Sequence, residues 1–293
     1  MANLRDLRKR RKGAANTRKI TRTMELVASA KLRKAQDAAA ASRPYAEGLR
    51  ELVAQISQAV GGAAGHPLMR ARDVKTVAIL VATSDRGLAG AFNANLVSLA
   101  LARGKEHQAQ GRTVEYIALG KKALSTLSFF GITATSSFTG VVGATKYAHA
   151  EKVATPQLER FLGGSIDLVE VVYARFISAA RQVPDHYVML PVGAEKPETA
   201  AGAPAPKRVD YLFIPEPEDV LAAIIPLTVS TALYSALLQT TAAEHAARRV
   251  AMKNATDAAA DMVKSLTGAY NRGRQGKITQ ELAEIIGAVE AMA

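Results

Sequence analysis

Two glycine-bearing stretches come nearest to spacing that supports chemistry. The stretch SDRGLAGAFN (84–93) follows an apolar run and opens a helical pattern, the place where a phosphate-binding loop would lie. Backbone N–H groups at such a helix start attract anions. The stretch lacks G-x-G-x-x-G, however, and the chain contains no G-x-x-x-x-G-K-[ST]. GVVGATK (140–146) has its glycines and lysine at the wrong spacing. Both therefore read as tight turns.

The side chains that do acid–base or metal chemistry are scattered. His66, His107, His149, His186 and His245 stand far apart, with no H-E-x-x-H and no paired carboxylates beside them. Each reads as a surface residue. Cysteine is absent, which excludes disulfides, thiolate metal sites and thiol redox control. No catalytic residue, cofactor or metal ligand is assigned.

Residues 3–57 carry the pattern of one long helix. Ile20, Met24 and Val27, then Tyr45, Leu49, Leu52 and Ile56, recur at helical spacing and mark its apolar side. Pro44 is expected to kink or break it, because proline lacks an N–H and crowds the preceding turn. From Pro217 to Ala291 a second helical pattern runs with little interruption. Val229, Leu233, Leu237, Ala243, Ala247, Val250, Met262, Leu266, Ile278, Leu282, Ile285 and Val289 mark its apolar side, and Gly268, Gly273 and Gly276 weaken one stretch.

Between them the pattern changes. TVAILVATS (76–84), VEYIAL (114–119), LVEVVYARFIS (168–178) and RVDYLFIP (208–215) read as strands, with helical patterns near 91–104 and 152–162. Alternating strands and helices favour a largely parallel sheet. A helix of about 65 residues or more would be ~100 Å long, too long to fold into its own globule, so the two terminal helices are each other's natural partners. The fold class expected is α/β with long helices. The N- and C-terminal helices (1–60 and 217–293) pair as an antiparallel coiled coil, and a Rossmann-like α/β domain (74–216) is inserted in sequence. No uninterrupted apolar run of 18 or more residues is present, so nothing is expected to cross a membrane, and the basic N-terminus lacks the apolar core of a signal peptide.

The net charge of +12 is unevenly placed: residues 1–50 hold fourteen Lys or Arg against Asp6, Glu25, Asp37 and Glu47. Such a run reads either as a solvated helix face or as a surface for an acidic partner, whether nucleic acid, anionic lipid or an acidic protein, and the charge by itself does not say which. Nucleic acid is the weaker choice, because no interleaved aromatics and no base-reading motif accompany the charge.

The ends of the chain resemble the ATP synthase gamma-subunit family. NTRKITRTMELVASAKLRKAQ (16–36) with SRPYAE (42–47) is similar to its N-terminal signature, and LYSALLQTTAAEHAARRVAMKNATDAA (233–259) with ITQELAEII (278–286) to its C-terminal one. TSDRGLAGAFNANL (83–96) and YLFIPEP (211–217) match in order between them. The resemblance implies a non-catalytic central rotor stalk that couples ion flow through a membrane ring to the catalytic beta subunits by rotation. Its partners would be the alpha and beta subunits, the epsilon subunit and the ring of c subunits, with no nucleic acid. It would lie on the cytoplasmic face of the bacterial inner membrane, peripheral and attached only through the complex.

The resemblance also implies roles for single residues. Met24 would face an acidic lever of the beta subunit, and Arg248, Gln275, Thr279 and Glu281 would lie at contacts with the alpha–beta ring. Tyr211, Pro215, Glu216 and Pro217 would lie near the c ring. Arg249 and Ala283 depart from the family's usual residue types, and the three glycines put the stiffness of the C-terminal helix in question. The alternative reading is a structural coiled-coil adaptor of another complex.

Overall fold

The computed structural model describes residues 4–59, 66–143, 145–193 and 217–292. The chain divides into two compact units, one made of residues 1–29 and 248–293, the other of residues 30–247. Two helices run through both: α1 (Leu4–Ala59) and α5 (Pro217–Met292). The helical state persists through Pro44 in α1 and through Gly268, Gly273 and Gly276 in α5. The expected break at Pro44 is thus absent from the backbone assignment.

The larger unit is built on one five-stranded sheet, in the order β3-β2-β1-β4-β5. β1 (Thr76–Ala82), β2 (Thr113–Leu119), β3 (Ser136–Phe138) and β4 (Leu168–Phe176) are mutually parallel, and β5 (Gln182–Leu190) runs antiparallel to β4. β1 is central, and its residues Val77–Ala82 are all fully buried. That is why TVAILVA is apolar at every position instead of alternating. The expected strand at 208–215 lies outside the described residues. β3 and β5 were not expected. β3 has only three residues, and β5 contains Pro184, Asp185 and His186, which weaken a strand signal.

One sheet face packs against α2 (Phe92–Ala109) and α3 (Lys121–Phe129), with Val77, Ile79, Val81 and Val172 meeting Leu96, Val97, Ala100 and Leu127. The other face packs against α4 (Tyr147–Leu162), the end of α1 and the start of α5. There Leu80, Ile117 and Val171 meet Val153, Phe161, Ile56, Leu221, Ile225, Val229 and Leu233. α5 contains an 18-residue window of mean hydropathy 1.9, apolar and long enough to cross a membrane by length and composition, although polar residues interrupt it. Half of that window is buried inside the fold. A helix that is apolar around much of its circumference suits a core position of this kind.

Two glycines are required by the space around them, Gly120 in the turn after β2 and Gly104 within α2. Gly120 has φ +102, and a Cβ there would run into the Thr83 carbonyl oxygen. Gly104 lies so close to Tyr116 that a Cβ would overlap the phenol oxygen.

Candidate partner-contact surface

The smaller unit is an antiparallel helix pair with a thin seam. Leu4 of α1 lies against Gly273 of α5, where an added Cβ would be 3.2 Å from its Cδ2. The Arg11 guanidinium sits 5.1 Å from the centre of the Tyr270 ring, and Thr21 and Thr256 share a hydrogen bond at 2.8 Å. As residue numbers rise on α1 they fall on α5. The buried positions of α1 in this unit are Ala14, Thr21 and Ala28, spaced by seven. Leu32 and Ala35 continue the pattern in the other unit, where they pack on Ala242 and Ala246 of α5. A seven-residue repeat of small side chains lets two helices approach closely.

The large apolar residues are displaced from this seam. Ile20, Leu26 and Val27 are 60, 58 and 51% exposed, and Tyr45 is 55% exposed. The expectation that Ile20, Val27 and Tyr45 marked the inner side of α1 is corrected: alanine and threonine fill the seam, and the bulky residues project to solvent. The same holds on α5, where Val250, Met262, Ile278, Leu282, Ile285 and Val289 are exposed while Val229, Leu233, Leu237 and Ala243 are buried.

Met24 is half-buried on α1, one turn from Thr21, between the exposed Ile20 and Val27. Around it Arg18, Lys19 and Arg22 are exposed, and Arg22 pairs with Glu25 at 2.9 Å. Arg8, Lys9, Arg10 and Lys12 extend the exposed basic face toward the start of the helix. Arg248 is buried in α5. It and Met24 belong to the same unit.

Gln275, Thr279 and Glu281 form a separate group, about 40 Å farther along α5 by helical rise. All three are exposed. Thr279 donates its hydroxyl to the Gln275 carbonyl at 3.0 Å, so these two share a helix face, whereas Glu281 lies on another and pairs with Lys277 at 3.4 Å. This group lies beyond Gly273, which already sits against the first described residue of α1. From there α5 runs on to Met292 with Ile278, Leu282, Ile285, Ile286, Val289 and Met292 between 52 and 89% exposed. Spacings of four, three, one, three and three place them along one side of the helix. Tyr211, Pro215 and Glu216 lie outside the described residues, and Pro217 is the first residue of α5.

The SDRGLAG stretch is a tight turn. Asp85 accepts the Lys121 and Gly140 amides at 2.9 Å each, and the Ser84 amide donates to Asn93 Oδ1 at 3.0 Å. The turn presents Leu88, 62% exposed and the one described non-glycine residue with positive φ, at 66°. GVVGATK is also structural: the Gly143 amide donates to the Thr241 hydroxyl of α5 at 3.1 Å.

Sequence reasoning missed one ionic cluster altogether. Glu170, in the middle of β4, is 1% exposed and receives Arg103 Nη2 at 2.7 Å, Arg103 Nε at 3.1 Å and His107 Nε2 at 2.9 Å. His107 and His245 are buried, which corrects the reading of all five histidines as surface residues. Burial pushes the Glu170 carboxyl up, but hydrogen bonds and charge from Arg103, with His107, outweigh it and hold the group below the usual carboxylate range. The available signal was a lone glutamate inside LVEVVYA, with Arg103 and His107 four apart toward the end of what folds as α2. Among the described residues no group of three or more His, Asp or Glu side chains could hold a metal ion.

A family profile described as ATP synthase matches residues 3–292. The ATP synthase gamma chain of Nitratidesulfovibrio vulgaris is 39% identical over 293 residues, covering 100% of this chain and 99% of that one. The gamma chain of Leptospira biflexa is 40% identical with 100% of both covered. Among solved structures, a chain of the Euglena gracilis mitochondrial ATP synthase (OSCP, F1 and c-ring) superposes with a TM-score of 0.64 at 21% identity, over 99% of this chain and 94% of that one. A chain of the Tetrahymena thermophila central stalk and c-ring gives 0.58 at 22%, over 80% and 99%.

Proposed function

The chain belongs to the ATP synthase gamma-chain family, and from that premise we propose that it turns as the rotor shaft of its complex. It is the central stalk subunit of the F1 part of an ATP synthase. In this reading ion flow through a membrane ring of c subunits rotates the stalk, and the stalk forces the catalytic beta subunits through binding, synthesis and release. The chain itself performs no chemistry. It acts by contacting each beta conformer differently, since only a differential contact can shift a population.

The observation that carries the reading is the end of α5. About five turns of helix extend past the last contact with α1, and their apolar side is exposed. An apolar surface of this kind calls for a partner that covers it. A ring of alpha and beta subunits closed around the helix tip would do so, with Gln275, Thr279 and Glu281 at that contact. The basic face of α1 around Met24 suits an acidic moving lever on the beta subunit. Exposed ion pairs there are weak, about 0–1 kcal/mol each, which a contact that must break at every step requires. The helix pair (1–60 and 217–293) is the shaft. The α/β portion (74–216) is the foot, which meets epsilon and the c ring near Tyr211, Pro215, Glu216 and Pro217. The assembly lies on the cytoplasmic face of a bacterial inner membrane.

Co-expression with alpha and beta subunits, followed by bead-rotation microscopy on the purified head, tests this. ATP-driven unidirectional rotation of a bead fixed to this chain is expected. A chain that does not co-purify with the head, or a bead that stays still while ATP is hydrolysed, overturns it.

A further inference from the structure

The cluster around Glu170 contains a histidine whose two ring nitrogens have fixed and opposite duties. His107 Nε2 lies 2.9 Å from Glu170 Oε1, and His107 Nδ1 lies 3.0 Å from Arg112 Nη1. A guanidinium only donates, and an ionised carboxylate only accepts. Nδ1 must therefore offer its lone pair to Arg112, and Nε2 must carry the proton it gives to Glu170. The ring is 3% exposed, so neither nitrogen can exchange its partner for water without the cluster opening.

The geometry points to a proton-released pin that joins α2, β4 and the α2–β2 turn. A second proton on the ring has one place to go, Nδ1, and that atom is already occupied by a donor. With both nitrogens donating, Arg112 faces an N–H and a positive ring at once and must leave. Arg112 begins the last stretch before β2, just after Gly111 at φ +77. Its amide still holds the His107 carbonyl at 3.1 Å, so the side chain is released while the turn stays in place.

The neighbours of the ring fix the sign of the response. On α2, Arg103 grips Glu170 with two nitrogens and also pairs with Glu106. On β4, Glu170 is the one buried anion of the group. On β5, His186 pairs across to Val172, two residues along the same sheet face, while Glu170 itself faces the uncharged Val188. On β1 its neighbour is Ile79, and on β2 Tyr116 lies in register with Ile79 and is packed on Gly104. The anions Glu170 and Glu106 already serve Arg103, so a charged His107 adds a further cation without a further anion. Arg112, held only through the ring, is the cation that departs. This pin is a property of the chain's own fold and stands apart from its role in rotation.

Nitrogen NMR on the full-length chain, labelled at histidine and arginine, tests the pin in a pH series taken from alkaline conditions down to acid unfolding. His107→Gln identifies the His107 signals by their loss, keeps a donor toward Glu170 and removes the titrating ring. The expected result is an Nε2-protonated ring at the alkaline end. Gain of the second proton should coincide with a drop of about tenfold in the solvent protection of the Arg112 guanidinium. In His107→Gln that pH-dependent drop should be missing. An Nδ1-protonated ring overturns the inference, as does a ring that stays singly protonated until acid unfolding. Arg112 protection that ignores His107 protonation, or falls equally in His107→Gln, overturns it too.

Discussion

Thr21 of α1 and Thr256 of α5 meet across the helix pair with their hydroxyl oxygens 2.8 Å apart. Each hydroxyl has one proton, and each also lies within reach of a carbonyl on its own helix: Thr17 at 3.1 Å for Thr21, Met252 at 2.8 Å for Thr256. One therefore donates across the seam while the other donates back to its own helix. The contact fixes register where the seam is otherwise alanine.

Two substitutions separate hydrogen bonding from space at this point. Thr21→Val keeps the shape, and Thr256 can still donate to the Met252 carbonyl, so a loss of about 0.5–1.5 kcal/mol is expected. Thr21→Leu forces extra volume into a seam of small residues and should cost about 1–3 kcal/mol. Thermal unfolding of the two variants checks the order. A leucine variant as stable as the valine variant would show that the helices are not closely apposed there.

The glycines of α5 differ in what an added methyl group would meet. Gly276 faces open space, so Gly276→Ala should stabilise the helix by up to about 1 kcal/mol. Gly273→Ala requires Leu4 Cδ2 to move a few tenths of an ångström from 3.2 Å, and its gain should be smaller. Denaturant titration of both variants measures this. A loss of more than about 1 kcal/mol at Gly276 would contradict the helical backbone drawn there.

Gly104 is held by packing, not by backbone conformation. Gly104→Ala would place a methyl group on the Tyr116 phenol, and a loss of about 1–3 kcal/mol is expected despite the better helix propensity of alanine. Tyr116→Phe should recover part of that loss in the double variant, because the first atom overlapped is the phenol oxygen. A double-mutant cycle with no coupling would be the adverse result.

Glu170 sets the acid limb of stability. Its folded-state affinity for protons is lowered, so the stability it contributes is complete above the unfolded carboxylate pKa, near 4.5, and is lost as pH falls through the lower folded value. Glu170→Gln leaves Arg103 without its buried anion and should cost about 3–5 kcal/mol near neutral pH. The deficit should shrink on acidification. Urea titrations at several pH values check both parts, and a deficit independent of pH would contradict the ionised pairing.

The exposed end of α5 is where the proposed role meets a partner. Leu282→Asp and Ile285→Asp place charges on the apolar side of that end, where both side chains are more than half exposed among the described residues. The isolated chain should keep its unfolding midpoint. Its retention by an alpha–beta head on size-exclusion chromatography should fall by about tenfold or more, as when a charge enters an apolar contact. Unchanged retention would remove this surface from the proposed contact.

Much of the architecture was legible in the sequence because its signals are local. Helical periodicity and alanine content mark α1 and α5, and the uninterrupted apolar run of β1 announces a strand buried on both faces. The order of strands and helices gives a mainly parallel sheet, and the absence of cysteine removes thiol chemistry. The basic charge of the first fifty residues is likewise a property of the sequence alone.

Which side of each long helix faces inward was decided by tertiary structure. Periodicity finds an apolar side, yet the seam took Ala14, Thr21 and Ala28 and left Ile20, Leu26 and Val27 in solvent. Close approach of two helices favours small residues, and burial of large ones requires a thicker interface than this pair provides. Glu170 shows the same limit. Its ionisation in the core depends on Arg103 and His107, 67 and 63 residues away, and no local window contains both a buried charge and the cations that hold it there.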